Sequence, residues 1–484
     1  MRCLTLADAL KQRGARTRFV SHRLPEYLRS MLAAKGHEFF PLNGDRNAAA
    51  LDELAHAHWL GGSQEQDAVD SIRALSDVTW DWLVADHYAL DARWESSMHR
   101  IVNRIMAIDD IADRQHDCDM LLDQNFYTDM QARYSSKVPP HCRLLLGPRY
   151  ALLRDEFRQL REQIRPRTGP VKRVLVFFGG VDADNYTGRA IEALSETGIP
   201  SLHVDVVIGT QHPCREQIKM ACGQHGYICH IQTDKMAELM ATADLAIGAG
   251  GSASWERCCL GLPTLTICTA DNQRKQIADA ASESLLYAPR QESDLTPLIR
   301  RHMDALMDND YLRQAISRNG MRAIDGCGAL RVVGNLGCCN IEIRVATQDD
   351  SANLFEWRNH PAVRAVSRKS DVINWEDHQK WLALTLVSAD RLLLIGQREN
   401  SPVGVVRFDI QDDEAEVSVY LVPDIKPSGQ GRELLQSAEY WLVANRPEVA
   451  RVRATVLGGN ERSSHLFLNA DYQVEFTSYL KRLL

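Results

Sequence analysis

Short apolar runs alternate with amphipathic stretches along the first two thirds of this 484-residue chain, and most of the runs end at glycine or an acidic residue. Residues 82–85 lead to Asp86, 101–108 to Asp109 and Asp110, and 143–146 to Gly147 and Pro148. Such an alternation predicts an α/β fold, a parallel sheet with helices on both faces, because parallel strands need long crossovers and helices supply them. Ahead of these strands, residues 1–14 read as a helix with Leu4, Leu6, Ala7 and Leu10 on one face and Gly14 as its stop. A strand at 18–20, a helix at 27–34 and a strand at 38–40 follow. A Rossmann-like half opens with a buried strand and a glycine-rich turn before its first helix. Here the helix starts at Met1, so the expectation is a half without its first strand, or a true start that lies upstream.

After a linker-like stretch at 163–171, with Pro166, Thr168, Gly169 and Pro170, a second alternation runs through 173–178, 201–208, 227–231, 243–247 and 263–267. Two Rossmann-like halves result. Beyond Cys339 the pattern changes: a strand at 341–344, a helix-rich stretch at 350–386, then consecutive antiparallel strands at 391–395, 403–410 and 415–422. Three domains are expected, at 1–165, 170–336 and 340–484, in keeping with about 150 residues per domain.

The charge balance narrows the partners. Fifty-six Lys and Arg against 64 Asp and Glu give −8, which leaves no basic surplus for a nucleic-acid backbone or an anionic membrane. No apolar run approaches the roughly 18–20 residues of a membrane span, and Asp8 falls where a signal peptide needs its apolar centre. A cytoplasmic enzyme is the expectation. All 12 cysteines lie between Cys3 and Cys339. The vicinal pairs Cys258-Cys259 and Cys338-Cys339 and the scattered singles read as reduced, mostly buried thiols. His212 and Cys214 are the nearest thing to a ligand pair, so no metal is expected.

Gly248-Ala249-Gly250-Gly251-Ser252-Ala253-Ser254-Trp255-Glu256 follows an apolar strand and opens a predicted helix. Small residues let the backbone approach a phosphate, and the free N–H groups of a first helical turn favour an anion. Tight strand-to-helix turns also use glycine for steric reasons alone. Glu256, one turn in, could hydrogen-bond ribose hydroxyls. Phe178-Gly179-Gly180 and Asp271-Asn272-Gln273 end strands of the same half and would meet the same crevice.

The run Asp86-His87-Tyr88-Ala89-Leu90-Asp91, the loop Gly250-Gly251-Ser252 with the segment Trp255 to Pro263, and Asp271-Asn272-Gln273 together resemble the UDP-sugar hydrolases of pseudaminic acid biosynthesis. The resemblance covers roughly residues 1–335 and implies a glycosyltransferase-B architecture. It also implies UDP on the second half, with the 250–256 loop on the diphosphate and Glu256 on the ribose. The implied reaction is an inverting, metal-independent loss of UDP from a 2,4-diacetamido-2,4,6-trideoxy sugar. Family members open with Gly-x-Gly-His-x-x-Arg-Cys, whose histidine is taken to activate water. Arg2 and Cys3 match its last two positions, so the glycines and the histidine would precede residue 1 and hydrolysis would lack its usual base. Asp86, His87 and Tyr88 should line the cleft; His87 could be a local base, or could orient substrate or cap a helix. Asp109, Asp110, Asp113, Arg114 and His116 read as a solvated loop, and Gly147-Pro148-Arg149-Tyr150 as a turn at the cleft entrance.

In the third domain, Lys426-Pro427-Ser428-Gly429-Gln430-Gly431-Arg432 follows a strand and opens a helix. It resembles the Gln/Arg-x-x-Gly-x-Gly/Ala loop of the GCN5-related N-acetyltransferases, with Lys426 where Gln or Arg is usual. That resemblance implies that the loop holds the pyrophosphate of acetyl-CoA. The segment from Asn460 to Ser464 resembles the family's Asn-x-x-Ser, which borders the pantetheine arm. A backbone N–H around Val419 to Leu421 would polarise the thioester carbonyl, and Glu416 could accept the amine proton. Position 467, where many relatives have the acidic tyrosine, is Phe, which leaves Tyr472 and Tyr420 as candidates. Trp357, Arg358, Asn359, His360, Val363, Arg364, Ser367, His378 and Trp381 lie where this fold shapes its acceptor pocket; His378 and Trp381 are expected to pack together.

The two resemblances combine into one expectation: a bifunctional enzyme that acetylates the 4-amino group of a UDP-linked sugar and then hydrolyses UDP from the product, feeding nonulosonic acid synthesis for surface or flagellar glycans. The rival readings are a UDP-sugar-binding module without hydrolysis, and a glycosyltransferase, since fold does not decide chemistry.

Overall fold

The computed structural model describes residues 1–42, 52–197, 202–337, 341–398, 400–423, 430–458, 460–470 and 472–475. Contacts divide the chain into a unit at Met1–Ala329 and a unit at Leu330–Leu484. Two parallel sheet systems make up the first unit. In its second half, β7 (Arg173–Phe177), β8 (His203–Ile208), β9 (Ile228–Ile231), β10 (Leu245–Ala249) and β11 (Thr264–Ile267) pair in the order β11-β10-β7-β8-β9. This is a doubly wound sheet, with its topological switch between β7 and β10. β7, β8, β10 and β11 are buried on both faces, which is why they read as continuous apolar runs, while the edge strand β9 is partly exposed.

The first half is built from β1 (Arg18–Ser21) and β2 (Glu38–Pro41), which pair with each other, and from β3 (Trp80–Ala85), β4 (Val102–Ile108), β5 (Met120–Asp123) and β6 (Arg143–Leu146), which form a separate four-stranded sheet. All the pairings are parallel. Among the described residues no strand joins β1 to β3; Val20 of β1 packs on the same apolar cluster as Ala85 and Ile105. The opening helix is Arg2–Lys11. The helix Asp155–Gln163, which precedes the second half in sequence, buries Phe157 in a core with Leu175, Trp255 and Cys259, so the second half's core reaches back before residue 165.

The second unit is one mixed sheet of β12 (Glu342–Val345), β13 (Arg391–Arg398), β14 (Ser401–Gln411), β15 (Glu414–Leu421) and β16 (Arg451–Ala454), paired in that order. All its neighbours are antiparallel except β15 and β16. The helix Gln430–Asn445 covers one face through Leu434, Leu435 and Ala438. The helices Ser351–Asn359 and Trp375–Leu386 cover the other through Leu354, Trp357 and Leu382. Leu434 comes so close to the sheet that a Cβ on Gly396 or Gly404 would lie 2.2 or 2.4 Å from it; only glycine admits that approach. Among the described residues no helix is long and apolar enough to cross a membrane.

Candidate active sites

The glycine loop lies between β10 and the helix Ser252–Cys259. Gly251 holds φ +94° and ψ −161°, a region open to glycine alone. A Cβ at Gly250 would lie 2.6 Å from Ile277, and one at Gly248 would lie 2.4 Å from the Phe177 carbonyl, so neither position has room for a side chain. No side chain caps the helix and no acidic residue stands in its first turn, which leaves its first N–H groups for an anion. Arg257 lies beneath: its guanidinium donates to the Ala249 carbonyl at 2.6 Å and to Ser254 Oγ at 3.1 Å, and burial lowers its pKa to about 10. Burial likewise raises the pKa of Glu256, against the opposing charges of Arg154 and Arg257. Gly179 has φ +100° and nothing within 4 Å of its would-be Cβ. Phe178 stacks on Tyr186, and Asn272 is exposed in the short helix Asp271–Gln273. Gln273 reaches the loop, its amide oxygen 3.2 Å from the position of a Cβ on Gly250. The sequence places Gln273 at this crevice, whereas the glycine spacing gives no role to Arg257.

In the first half, the carboxyl ends of β3, β4 and β5 gather charge. Arg2 donates to Asp86 at 2.6 Å and to Asp110 at 3.1 Å, Cys3 Sγ lies 3.0 Å from Asp86, and the Tyr88 hydroxyl donates to Asp110 at 2.5 Å. Burial pushes the Asp86 carboxyl up, but the bonds and charge of Arg2 outweigh it and hold the group below its ordinary range. Burial lowers the pKa of His87, whose Nδ1 accepts the Ala89 N–H at 3.1 Å. A neutral imidazole has one accepting nitrogen, and here the backbone occupies it. His87 thus holds the turn that leads to the helix Ala92–Met98, whose own cap is Asp91.

The expectation of a solvated loop at 109–116 is overturned. Asp109, Arg114 and His116 are at most 5% exposed. Arg114 donates to Asp109 at 2.9 Å, and His116 Nδ1 meets Glu95 at 2.8 Å. Burial disfavours the imidazolium, yet Asp109 and Glu95 outweigh it and raise its pKa to about 9. A charge cluster in sequence reads as solvent-facing unless its partner, here Glu95 on the helix Ala92–Met98, is known to fold over it. Asp123 at the end of β5, chiefly through burial, has a pKa raised to about 7. The segment after it joins the halves: Asn125 accepts the Trp255 indole N–H at 3.0 Å, the Tyr127 hydroxyl donates to the Asp110 carbonyl at 3.2 Å, and Thr128 donates to Asp279 at 3.0 Å. The Asp86–Tyr88 group and the glycine loop are therefore linked through residues 125–128.

The second unit's site follows from its sheet. β15 and β16 pair in parallel only from Glu414↔Arg451 to Val417↔Ala454. Beyond that, β15 continues against β14 alone, as far as Gly404↔Leu421. The Val422 N–H donates to the Val403 carbonyl at 2.9 Å; ladder alternation then turns the N–H groups of Val419 and Leu421 away from β14, into the opening. The helix starting at Gln430 and Gly431 stands beside it, with Arg432 exposed and the Gln430 amide oxygen buried without a partner. Lys426 and Gly429 lie outside the described residues. Asn460 caps the helix Glu461–Asn469 through Ser463 at 3.2 Å, and Leu466 of that helix packs near Gly431.

Glu416 accepts from Thr455 at 2.8 Å and pairs with Arg368. These bonds overcome its burial and hold it ionised, below the ordinary range. The Tyr472 hydroxyl donates to Glu439 at 2.6 Å, and burial and that carboxylate raise its pKa. Tyr420 lies on the Glu416 face near Arg358 and Arg407; burial raises its pKa while both arginines oppose the rise. His378 packs against Trp381 with ring centroids 5.9 Å apart and bonds the Ser351 carbonyl at 2.9 Å. Among the described residues no group of three His, Cys, Asp or Glu could hold a metal ion. Their cysteines are free thiols, four buried and six half-buried.

Residues 340–473 match the acetyltransferase (GNAT) domain family. An uncharacterized protein of Methanocaldococcus jannaschii is 21% identical over 416 residues, 83% of each chain. The spore coat polysaccharide biosynthesis protein SpsG of Bacillus subtilis is 28% identical over 215 residues, 43% of this chain and 62% of that protein. The UDP-2,4-diacetamido-2,4,6-trideoxy-beta-L-altropyranose hydrolase of Campylobacter jejuni is 25% identical over 235 residues, 48% of this chain and 80% of that one. The chain thus joins a region similar to a UDP-sugar hydrolase to a C-terminal GNAT domain.

Proposed function

We propose that this chain carries two consecutive steps on a nucleotide-linked amino sugar: acetylation of the 4-amino group by the domain at 340–484, then release of UDP from the UDP-2,4-diacetamido-2,4,6-trideoxy-β-L-altrose so formed, by the halves at 1–165 and 170–336. Pseudaminic acid synthesis is the setting this implies. The observation that carries the reading is the parting of β15 from β16 after Val417 and Ala454, beside the start of the helix Gln430–Asn445. That opening fits the extended pantetheine arm of acetyl-CoA, and the buried, unpartnered Gln430 oxygen suits an amide N–H donor. Acetyl-CoA, when bound, supplies the thioester. The N–H groups of Val419 and Leu421 polarise the carbonyl oxygen there. The neutral amine forms the new C–N bond as the C–S bond breaks. Ionised Glu416 takes the amine proton directly or through water, and the leaving thiolate is protonated by Tyr420, since the Tyr472 hydroxyl is committed to Glu439.

In the other active region, the 250–256 loop holds the diphosphate, Glu256 the ribose, and Phe178, Gly179 and Asn272 border the nucleotide. Asp86 and Tyr88, fixed by Arg2 and Asp110, border the sugar. A second reading, in which this region binds the UDP-sugar without hydrolysing it, is favoured by one observation: the accepting nitrogen of His87 is occupied. The test gives the chain acetyl-CoA and the UDP-linked 4-amino sugar and follows free thiol and free UDP separately. Thiol followed by UDP is expected. Thiol without UDP would establish the second reading, and no thiol with any amino sugar would refute the acetyltransferase step.

A further inference from the structure

One face of the second unit's sheet changes character along its strands. Register places Val405, Arg407 and Asp409 of β14 opposite Tyr420, Ser418 and Glu416 of β15, and alternation puts all six on one face. Around Val405 that face is apolar, covered by Trp357 and Leu382. From Arg407 onward it is charged, and arginines from three elements meet there: Arg358 on the helix Ser351–Asn359, Arg364 on the turn Pro361–Arg364, and Arg407 on β14.

These arginines are poorly matched by the protein itself. Arg358 donates to the Lys369 carbonyl at 2.7 Å, but among the described residues neither Arg358 nor Arg364 has a carboxylate partner. Arg407 shares Asp409 at 2.9 Å with Arg391, which lies 3.3 Å from the same carboxylate. Arg358 Nη1, Arg364 Nε and Arg407 Nε are each buried with no hydrogen-bond partner. Burial lowers the pKa of Arg358, Tyr420 opposes the fall, and the charges of Arg407 and Arg364 add to it, so both arginines lie near Arg358. Buried donors without acceptors and crowded like charges are both costly. In a chain of net charge −8, composition does not force such a concentration. An anion presenting several oxygens to planar guanidinium forks removes both costs together.

We propose that Arg358, Arg364 and Arg407 form an anion subsite that takes the diphosphate of the nucleotide-linked acceptor, so that this domain selects its substrate by its phosphates as well as by its amine. The inference rests on the acetyltransferase reading. Acetyl-CoA's own pyrophosphate belongs at the start of the helix Gln430–Asn445, which packs on the opposite face of the sheet.

Two experiments on the full chain test the subsite. The first measures thiol release with the UDP-linked 4-amino sugar and with the same sugar lacking the nucleotide. Each lost charge-assisted bond should raise KM for the nucleotide-linked acceptor roughly ten- to a hundredfold in Arg358→Gln and Arg364→Gln. KM for the free sugar and for acetyl-CoA should not move, and Arg364→Lys, which keeps the charge without the fork, should recover part of the loss. Equal effects on both acceptors, or no preference for the nucleotide-linked one, would overturn the subsite and leave the acetyltransferase standing. The second needs no turnover: UDP should slow hydrogen exchange of peptides covering 353–366 in the wild type and not in the Arg358→Gln/Arg364→Gln double variant. Absence of that protection overturns the subsite, whereas protection without thiol release from any amine would keep the subsite and refute the acetyltransferase reading.

Discussion

Gly251 shows how much one residue fixes in the nucleotide loop. Its φ of +94° and ψ of −161° turn the chain so that the first N–H groups of the helix Ser252–Cys259 face outward, and any Cβ makes that turn cost about 1–3 kcal/mol. Gly251→Ala should therefore weaken UDP binding, read by titration calorimetry, with acetyl transfer unchanged; unaltered UDP affinity would remove the loop from the nucleotide site. His116 gives a second prediction. Its pKa, raised to about 9 in the fold against about 6.5 in an unfolded chain, means that the folded state binds the extra proton between those values. The stabilisation is fully present below pH 6.5 and disappears as pH rises through 9, a change of roughly 3 kcal/mol. The urea midpoint of the first unit should fall over that window in the wild type and stay flatter in His116→Gln, where no imidazole titrates; parallel pH profiles would show that the Asp109–His116–Glu95 contact does not stabilise the fold.

At the scale of elements, the opening beside β15 makes a parity prediction. Ser418 and Tyr420 spend their N–H groups on β14, while Val419 and Leu421 do not. Val419→Pro removes a donor that faces the opening and no ladder bond, so acetyl transfer should fall by about 10²- to 10³-fold, the range for losing one oxyanion donor, with little change in melting. Ser418→Pro removes a ladder bond and should lower the melting temperature instead. Equal behaviour of the two variants would refute the assignment of the polarising N–H.

The same elements mark what sequence could disclose. Four strands of the second half are buried on both faces and the edge strand β9 is still apolar in sequence, so the pattern found all five, as it found β13 to β15. It missed β5, whose Met-Leu-Leu-Asp has only three apolar residues in a row, too few to show a period, and with β5 it missed Asn125. It missed β16, where Arg451 and Arg453 alternate with Val452 and Ala454 and resemble surface until their pairing with Glu414 is known. The glycine loops were legible because backbone approach demands small residues. Gln273, Arg358 and Arg364 were placed near their sites, but Arg407 was not, because its place beside Arg358 comes from a strand and a helix far apart in sequence.

At the scale of the whole molecule, each unit has apolar clusters of its own among the described residues. The cores around Val174, Leu175 and Ile105 belong to the first, and those around Phe408 and Leu382 to the second. Units that bury separate cores unfold as separate cooperative blocks. Thermal unfolding should then show two transitions, and linkage assigns them: a ligand stabilises only the block that binds it, by about 2.7 kcal/mol at a hundred times its Kd. Coenzyme A should raise one transition alone. UDP should raise the other through the glycine loop, and the first as well if the arginine subsite takes its diphosphate, so that only the second of these shifts vanishes in Arg358→Gln/Arg364→Gln. A single transition moved by both ligands would mean that the units fold as one block, and that the two steps share stability as well as a chain.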